Sequence, residues 1–191
     1  DIISQVAEQH SYFVDDTPVG FKWFVNGLHS SELMFAGEES SGATFAEMNG
    51  DCWTTDKDGI LLCLLAAEIM AKTGMTILEY GESIGLSAPH YVRKTYPISP
   101  EKIAALKAIT PEMFKGKVIA GGRVEQAFTE APGRRGADIG GVKVRLDNGW
   151  FAFRPSGTEP VYKIYAESTL SRKHRDQLVE EVNRIIEYML P

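Results

Sequence analysis

The stretch Val142-Lys-Val-Arg-Leu-Asp-Asn-Gly-Trp-Phe-Ala-Phe153 decides the fold of the second half of this chain. Apolar and basic residues alternate before Asn148-Gly149, and aromatic residues dominate the run that follows it. An Asn-Gly pair between two such runs is the strongest short-range signal for a β-hairpin. The sequence therefore predicts two antiparallel strands, at 142–146 and 150–153, joined by a tight turn.

A third strand and a long helix are predicted after this hairpin. The segment Tyr162–Glu167 has the aromatic and alternating pattern of a strand. A helix is expected from about Ser171, because apolar residues recur on one of its faces: Leu178, Val179, Val182, Ile185, Ile186 and Met189. Such a face needs a flat apolar partner, so we predict a small antiparallel sheet covered by at least one helix.

Helices dominate the prediction for the first half of the chain. One runs from about Asp56 to Lys72 and stops at Gly74, and a weaker one covers roughly 76–84. The apolar residues of the first helix repeat at three- and four-residue spacing, and we expect them to belong in a core: Ile60, Leu61, Leu64, Leu65 and Ile69. Ser99-Pro100 and Thr110-Pro111 are typical helix starts, and we place a domain boundary between residues 95 and 117.

Composition limits the classes of function. The chain has 191 residues, 43% of them hydrophobic, and a net charge of −6, which opposes general binding to nucleic acid or to an anionic membrane. Its longest apolar run, 60–67, is too short to span a bilayer. Cys52 and Cys63 lack the spacing of a metal site or a disulfide framework, which favours a reducing, cytoplasmic setting. The start at Asp1, with no initiator Met and no signal peptide pattern, leads us to expect a trimmed chain.

The loop Arg154-Pro-Ser-Gly-Thr-Glu-Pro160 carries the chemistry of a phosphate site. Arg154 can donate a planar fork to two phosphate oxygens, and the hydroxyls of Ser156 and Thr158 can donate to the third. Gly157 lets backbone N–H groups approach the anion closely. The alternative is an ordinary turn between strands, and composition by itself favours that alternative.

The order of these residues resembles the phosphate-binding loop of the alpha-D-phosphohexomutase superfamily. The resemblance implies that Arg154, Ser156, Gly157 and Thr158 bind the substrate phosphate that is not being transferred. It adds Lys163 on the following strand, and Lys57 within Asp56-Lys-Asp-Gly59, as further phosphate ligands. Their simpler interpretations are a solvent-facing strand residue and a solvated lysine in the first turn of a helix.

Two further segments resemble the sugar-binding loops of the same superfamily. Gly37-Glu-Glu-Ser-Ser-Gly42 implies that Glu38 and Ser40 hydrogen-bond the hexose hydroxyls. Thr17-Pro-Val-Gly-Phe-Lys-Trp-Phe24 implies sugar-facing roles for Gly20 and Lys22, whereas its aromatic residues are expected to pack in a core. Within the superfamily, these motifs together are most similar to the bacterial phosphoglucomutases.

The resemblance also implies an architecture, of α/β plus α+β class. Residues 1–100 would form part of an α/β third domain that carries the sugar-binding loop, and residues 101–116 a helical connector. Residues 117–191 would form a fourth domain, a small antiparallel sheet with helices of the kind found in the TATA-box-binding protein. The partners expected are a hexose phosphate and the protein's own N-terminal domains 1 and 2, with no nucleic acid and no membrane.

The motifs that do the chemistry in this superfamily are missing from these 191 residues. A Thr-Ala-Ser-His-Asn-Pro type loop carries the reactive phosphoserine, an Asp-Gly-Asp-x-Asp-Arg type loop holds Mg²⁺, and neither occurs here. We therefore expect no catalytic and no metal-binding residue in this chain. Mg²⁺ and glucose 1,6-bisphosphate would serve only the full-length enzyme, and this part of it would be inactive. The scattered histidines suggest that no serine here has a base beside it.

Two alternatives to a phosphoglucomutase stay open at this point. One is a mutase for mannose or glucosamine phosphates, which the sugar-loop residues do not exclude. The other is a noncatalytic protein that binds phosphosugars.

Overall fold

The structure is a computed structural model, and it describes residues 2–38, 42–87, 89–132 and 136–190. These residues divide into two compact units. One unit contains Ile2–Phe13 and Val19–Ser87, and the other contains Val14–Pro18 and residues 89–190. Among the described residues, no single helix has the length and apolar character needed to cross a membrane; 59–73 and 77–83 satisfy that requirement only together, as a pair bent by 66°.

Short elements around a small core make up the first unit. In chain order they are α1 (Ile2–Gln9), a 3-10 turn (Phe21–Trp23), α2 (Val25–His29), β1 (Phe35–Gly37), β2 (Ala43–Phe45), α3 (Gly59–Thr73) and α4 (Ile77–Ser83). β1 and β2 pair antiparallel, with Ala36 opposite Thr44. The core joins Phe21, Leu28 and Ala36, and Phe24 packs against it, so the prediction that aromatic residues of the 17–24 segment are core is confirmed for Phe21 and Phe24.

Local signals in the sequence set the ends of α3 and α4. The Asp58 carboxylate caps α3 by accepting a hydrogen bond from the Leu61 N–H at 2.9 Å, and Gly74 ends the helix in the left-handed conformation. In α4, Thr76 and Glu79 form a reciprocal capping box. Both helices therefore lie within a few residues of their predicted bounds.

The prediction that the apolar residues of α3 belong in a core was wrong. No residue of α3 is buried; Ile60 is 76% exposed and Leu64 63% exposed, while Leu61, Leu65 and Ile69 are half-buried. Periodicity identifies an apolar helix face, but it does not supply the element that covers that face. The described part of this unit offers α3 only short neighbours.

The second unit is a six-stranded antiparallel sheet in the order β3-β8-β7-β6-β5-β4. Its strands are β3 (His90–Pro97), β4 (Val118–Ile119), β5 (Gly122–Glu130), β6 (Asp138–Leu146), β7 (Gly149–Pro155) and β8 (Val161–Ser168). Its helices are α5 (Pro100–Lys107), a 3-10 turn (Pro111–Phe114) and α6 (Arg172–Met189). The predicted hairpin, third strand and final helix are all present.

One face of this sheet forms the core of the second unit. Alternate residues such as Val144, Phe151 and Ile164 are fully buried there, and so are Leu178 and Ile186 of α6. The residues between them, including Lys143, Arg154 and Lys163, point to the opposite face. The strand period thus separates an apolar side from a side that carries charge.

Strands β3, β4 and β5 of this sheet were not predicted. β3 is an edge strand, and its central residues Arg93, Lys94 and Thr95 are all exposed, so the alternation that marks a half-buried strand is missing. β3 nevertheless pairs with β8 along its whole length, from His90 opposite Ser168 to Pro97 opposite Val161. The domain boundaries proposed at 100/101 and 116/117 stay predictions.

Candidate functional site

The loop 154–160 joins β7 to β8 and is closed by backbone hydrogen bonds at its base. The Ser156 N–H donates to the Val161 carbonyl at 2.8 Å, and the Val161 N–H donates to the Glu159 carbonyl at 2.8 Å. Gly157 and Thr158 at the tip are exposed. Gly157 has open space where a Cβ would stand, and its backbone is not left-handed, so neither close packing nor backbone conformation requires a glycine there.

Arg154 and Lys163 face each other across β7 and β8. The Arg154 Nε donates to the Tyr165 hydroxyl at 3.3 Å, and its guanidinium lies 5.7 Å from the centre of the Tyr165 ring. This contact uses one N–H of the fork and leaves the terminal amino groups for a ligand. Within the described ranges neither cation pairs with a carboxylate, so the pair can bind an anion without first breaking an ion pair.

Gly141 lies under Arg154 on the neighbouring strand β6. A Cβ at Gly141 would stand 2.0 Å from the Phe153 carbonyl oxygen and 2.8 Å from the Arg154 Cβ. Only a glycine therefore allows β6 and β7 to approach at this point. We did not select Gly141 from the sequence, although a Gly140-Gly141 pair inside a strand pattern is a recognised sign of close backbone approach.

A second cluster forms in the other unit, where Glu38 and Lys57 form an ion pair. The Lys57 ammonium lies 3.1 Å from Glu38 Oε2 and 5.6 Å from the centre of the Phe21 ring. A Cβ at Gly42 would lie 2.2 Å from the Lys57 Cδ, so the lysine stem occupies the space above this glycine. Two residues predicted from separate motifs, one for the sugar and one for phosphate, are thus in contact.

Asp58 fixes the segment that presents Lys57. Its N–H donates to the Ala43 carbonyl at 2.9 Å, and its carboxylate accepts from the Leu61 N–H and, at 2.8 Å, from the Trp53 indole. These hydrogen bonds, the one from Leu61 first, lower the pKa of the Asp58 carboxyl. Lys57 is therefore held between the end of β2 and the start of α3.

The structure does not bring Gly20 and Lys22, two other residues predicted to bind the sugar, together with Glu38 in any described contact. Gly20 has φ +121° and begins the 3-10 turn, which accounts for a glycine there. Lys22 is exposed, with its ammonium 5.4 Å from the centre of the Trp23 ring, and no described contact joins it to Glu38 or Lys57. Ser40 lies outside the described residues.

The expectation that no serine has a base beside it was wrong. Ser168 Oγ lies 2.7 Å from His174 Nδ1, and His174 Nε2 lies 2.7 Å from the Ala120 carbonyl oxygen. Ser168 is fully buried, however, and its Oγ also accepts from the Leu170 N–H at 3.0 Å. A buried hydroxyl in these bonds joins β8 to the start of α6, and we assign it a structural role.

The described residues do not fit the Mg²⁺ that the resemblance implies for the full-length enzyme. In residues 2–38, 42–87, 89–132 and 136–190, no three His, Cys, Asp or Glu side chains group as a metal ion requires. Asp16, one of the two adjacent acids in the sequence, instead forms an ion pair with Arg145 at 2.6 Å. We derive no reaction step through a metal.

Comparison with known proteins matches each half of the chain to a domain of the same enzyme family. Residues 1–84 match the family model for the alpha/beta/alpha domain III of phosphoglucomutase/phosphomannomutase, and residues 100–185 match the model for the C-terminal domain of these enzymes. The chain is 47% identical to a phosphoglucomutase of Komagataeibacter xylinus over 97% of its own length. It is 31% identical to a probable phosphoglucosamine mutase of Methanopyrus kandleri, also over 97% of its length.

The chain spans about a third of the length of these relatives, 34% of the first and 37% of the second. A solved phosphoglucomutase/phosphomannomutase family protein from Burkholderia thailandensis matches 91% of the chain, with a TM-score of 0.59 and 20% identity. The chain covers 32% of that protein. This likeness concerns the fold.

Proposed function

Because the chain belongs to the phosphoglucomutase/phosphomannomutase family, in the region of its domain III and C-terminal domain, we propose that it is the substrate-binding part of a phosphoglucomutase. The complete protein would be an isomerase that interconverts glucose 1-phosphate and glucose 6-phosphate through glucose 1,6-bisphosphate. The 47% identity to a phosphoglucomutase supports glucose as the sugar, since the chain is 31% identical to the probable phosphoglucosamine mutase of Methanopyrus kandleri and 28% identical to a phosphomannomutase of Mycoplasma pneumoniae.

The observation that carries this proposal is that Arg154 and Lys163 lie side by side next to the hydroxyls of the loop and, among the residues that the structure describes, neither pairs with a carboxylate. A phosphate dianion bound there would accept paired hydrogen bonds from the planar guanidinium of Arg154 and single hydrogen bonds from the hydroxyls of Ser156 and Thr158. The ammonium of Lys163 would add a compact positive charge beside it. Tyr165 holds the Arg154 guanidinium through its Nε, so this side chain is oriented before the ligand arrives. In this proposal the loop binds the phosphate that does not react.

Glu38 would recognise the sugar ring. Its Oε2 accepts from Lys57, and among the described contacts Oε1 has no donor, so Oε1 would accept from a hexose hydroxyl. The Glu38 side chain is only 17% exposed, so a hydroxyl bound to it loses water and a sugar that lacks that hydroxyl leaves the acceptor unpaired. Ser40 would add a second hydrogen bond, as the resemblance implies.

Positioning is the catalytic contribution that these residues would make. Phosphoryl transfer depends mainly on alignment and on stabilisation of charge, and misplacement by about 1 Å can cost about a hundredfold in rate. A loosely held distal phosphate should therefore lower kcat as well as raise KM. The phosphoserine and the metal belong, in this proposal, to the two N-terminal domains of the full-length protein.

The test is Arg154→Ala in the full-length protein, with turnover of glucose 1-phosphate as the readout. Loss of charge-assisted hydrogen bonds predicts a fall in kcat/KM of about ten- to a hundredfold. Arg172→Ala removes the same charge from the exposed first turn of α6 and should leave kcat/KM unchanged. Equal kcat/KM for the Arg154 variant and the unmodified protein would refute the phosphate assignment.

Substrate comparison separates this proposal from its alternatives. We expect the full-length protein to turn over glucose 1-phosphate with higher kcat/KM than mannose 1-phosphate or glucosamine 1-phosphate. A preference for either of the other sugars would assign the chain to that mutase. Binding of all three without turnover would indicate a noncatalytic phosphosugar-binding protein.

A further inference from the structure

The charged face of the six-stranded sheet continues from the phosphate loop onto β3. In the order β3-β8-β7, Tyr165 of β8 lies between Arg93 of β3 and Ala152 of β7, and these three are register partners. Register partners in an antiparallel sheet place their side chains on the same face, with Cβ atoms about 5 Å apart. Arg93 therefore stands beside the tyrosine that holds Arg154.

The small side chain of Ala152 explains how Arg154 reaches Tyr165. Arg154 is the register partner of Lys163, two residues along β8 from Tyr165, so its contact with the Tyr165 hydroxyl runs diagonally. A methyl group at Ala152, directly across from Tyr165, leaves that path open. The Arg154 guanidinium thus leans away from the loop tip and toward the level of Arg93.

Arg93, Arg154 and Lys163 are three cations that lie close together on this face of the sheet. In the part of the chain that the structure describes, none of the three has a carboxylate partner. By contrast Arg145, which lies on the same face two strands from β8, is neutralised by Asp16 at 2.6 Å. Three neighbouring cations repel one another, and an anion bound among them relieves this repulsion.

We propose that Arg93 is a third cationic ligand of the phosphate group, and that it binds from β3 the same phosphomonoester dianion that Arg154 and Lys163 bind. This inference rests on the proposed function, and it deepens the phosphate site. A phosphomonoester has three outer oxygens, so a second guanidinium has an acceptor available after Arg154 has taken two of them. The site is then built from three adjacent strands, and the loop forms only one of its borders.

Lys94 provides a matched control for Arg93. It follows Arg93 on the same exposed edge strand, but it pairs in register with the buried Ile164 and so lies on the opposite face of the sheet. Arg93→Gln and Lys94→Gln each remove one positive charge from β3. The two variants share the change in net charge and differ only in the face from which it is removed.

The experiment measures the Kd of glucose 6-phosphate for the full-length protein by calorimetry. Arg93→Gln should raise Kd about tenfold, the factor of one charge-assisted hydrogen bond, whereas Lys94→Gln should stay within about twofold of the unmodified protein. Arg93→Lys keeps the charge without the fork, and its Kd should lie between these two values. Thermal unfolding of each variant checks that the sheet is intact, and Arg93→Lys keeps the test decisive if the glutamine variant does not fold.

Arg154→Gln distinguishes failure of this inference from failure of the proposed function. If Arg154→Gln weakens binding and Arg93→Gln behaves like Lys94→Gln, the role of Arg93 is refuted and the phosphate loop stands. If neither arginine variant changes Kd, both proposals fall. An equal loss for Arg93→Gln and Lys94→Gln would show a general effect of charge and would also overturn the role of Arg93.

Discussion

Substitution of Gly42 by alanine should impair function while leaving the protein folded. The backbone of Gly42 is not left-handed, so alanine is permitted there, and any effect comes from the new methyl group. That Cβ would stand 2.2 Å from the Lys57 Cδ and 2.9 Å from its Cγ. The atoms it meets belong to a flexible side chain, so the expected response is that Lys57 moves and the backbone does not.

The size of this effect follows from the distances. Carbon atoms pack at about 3.5–4.0 Å, so the lysine stem must shift by at least about 1.3 Å, and the 3.1 Å ion pair with Glu38 breaks. The Lys57 side chain is 46% exposed, and loss of such a pair costs at most about 1 kcal/mol of unfolding free energy. If Lys57 is a phosphate ligand, as the resemblance implies, its displacement misplaces the substrate, and a misplacement of about 1 Å can cost about a hundredfold in rate.

The assay is kcat/KM for glucose 1-phosphate in the full-length protein, measured with the melting temperature of each variant. Gly81→Ala, in α4, is the control, because a Cβ there meets no atom within 4 Å. We expect kcat/KM to fall about a hundredfold for Gly42→Ala and to stay unchanged for Gly81→Ala. Unchanged kcat/KM for Gly42→Ala would refute the role of Lys57, and a large loss of melting temperature would refute the reasoning that only a side chain moves.

Two predictions concern the six-stranded sheet. Gly141→Ala places a Cβ 2.0 Å from the Phe153 carbonyl oxygen, a backbone atom that cannot turn aside. Urea unfolding should therefore show a loss of unfolding free energy near the upper end of about 1–3 kcal/mol, and an unfolding free energy equal to that of the unmodified protein would contradict this. Burial, with smaller effects of Glu187 and Tyr96, raises the pKa of Tyr162 to about 12, and its hydroxyl donates to Asn183 Oδ1 at 2.5 Å. Because an exposed tyrosine has a pKa of about 10, the stability that this group contributes should be complete below pH about 10 and be lost as the pH rises through about 12. Burial also raises the pKa of Tyr96, so an absorbance titration should show late tyrosine ionisation whose amplitude near pH 12 falls by one group in Tyr162→Phe. A titration unchanged by Tyr162→Phe would contradict the assignment.

The parts of the fold that could be predicted are those specified by neighbouring residues. Asn148-Gly149 and the alternation around it gave the hairpin of β6 and β7, because a two-residue turn needs backbone conformations that few residues adopt. Gly74 placed the end of α3 for a similar reason, because the left-handed conformation that ends the helix suits few residues other than glycine. The same strand period places Arg154 and Lys163 on one face, once β7 and β8 are known to be neighbours.

The parts that could not be predicted depend on residues distant in sequence. The ion pair of Glu38 and Lys57 joins residues 19 positions apart, and no local pattern announces it. Ser168 and His174 meet because the chain reverses between β8 and α6, which a separation of six residues does not indicate. β3 escaped prediction because three successive residues at its centre, Arg93, Lys94 and Thr95, are polar, and the partner that makes it a strand is β8, some 70 residues later.

The pairing of β3 with β8 has a practical consequence for anyone who wishes to produce the C-terminal unit by itself. A recombinant piece that starts at residue 100, where the match to the C-terminal domain begins, would lack β3 and expose the backbone N–H and C=O groups of β8. Unpaired strand edges recruit strands from other molecules, so such a piece should associate or aggregate. A piece that starts ahead of His90 keeps the natural edge, whose middle is occupied by Arg93, Lys94 and Thr95, and the charges on that strand then discourage edge-to-edge pairing.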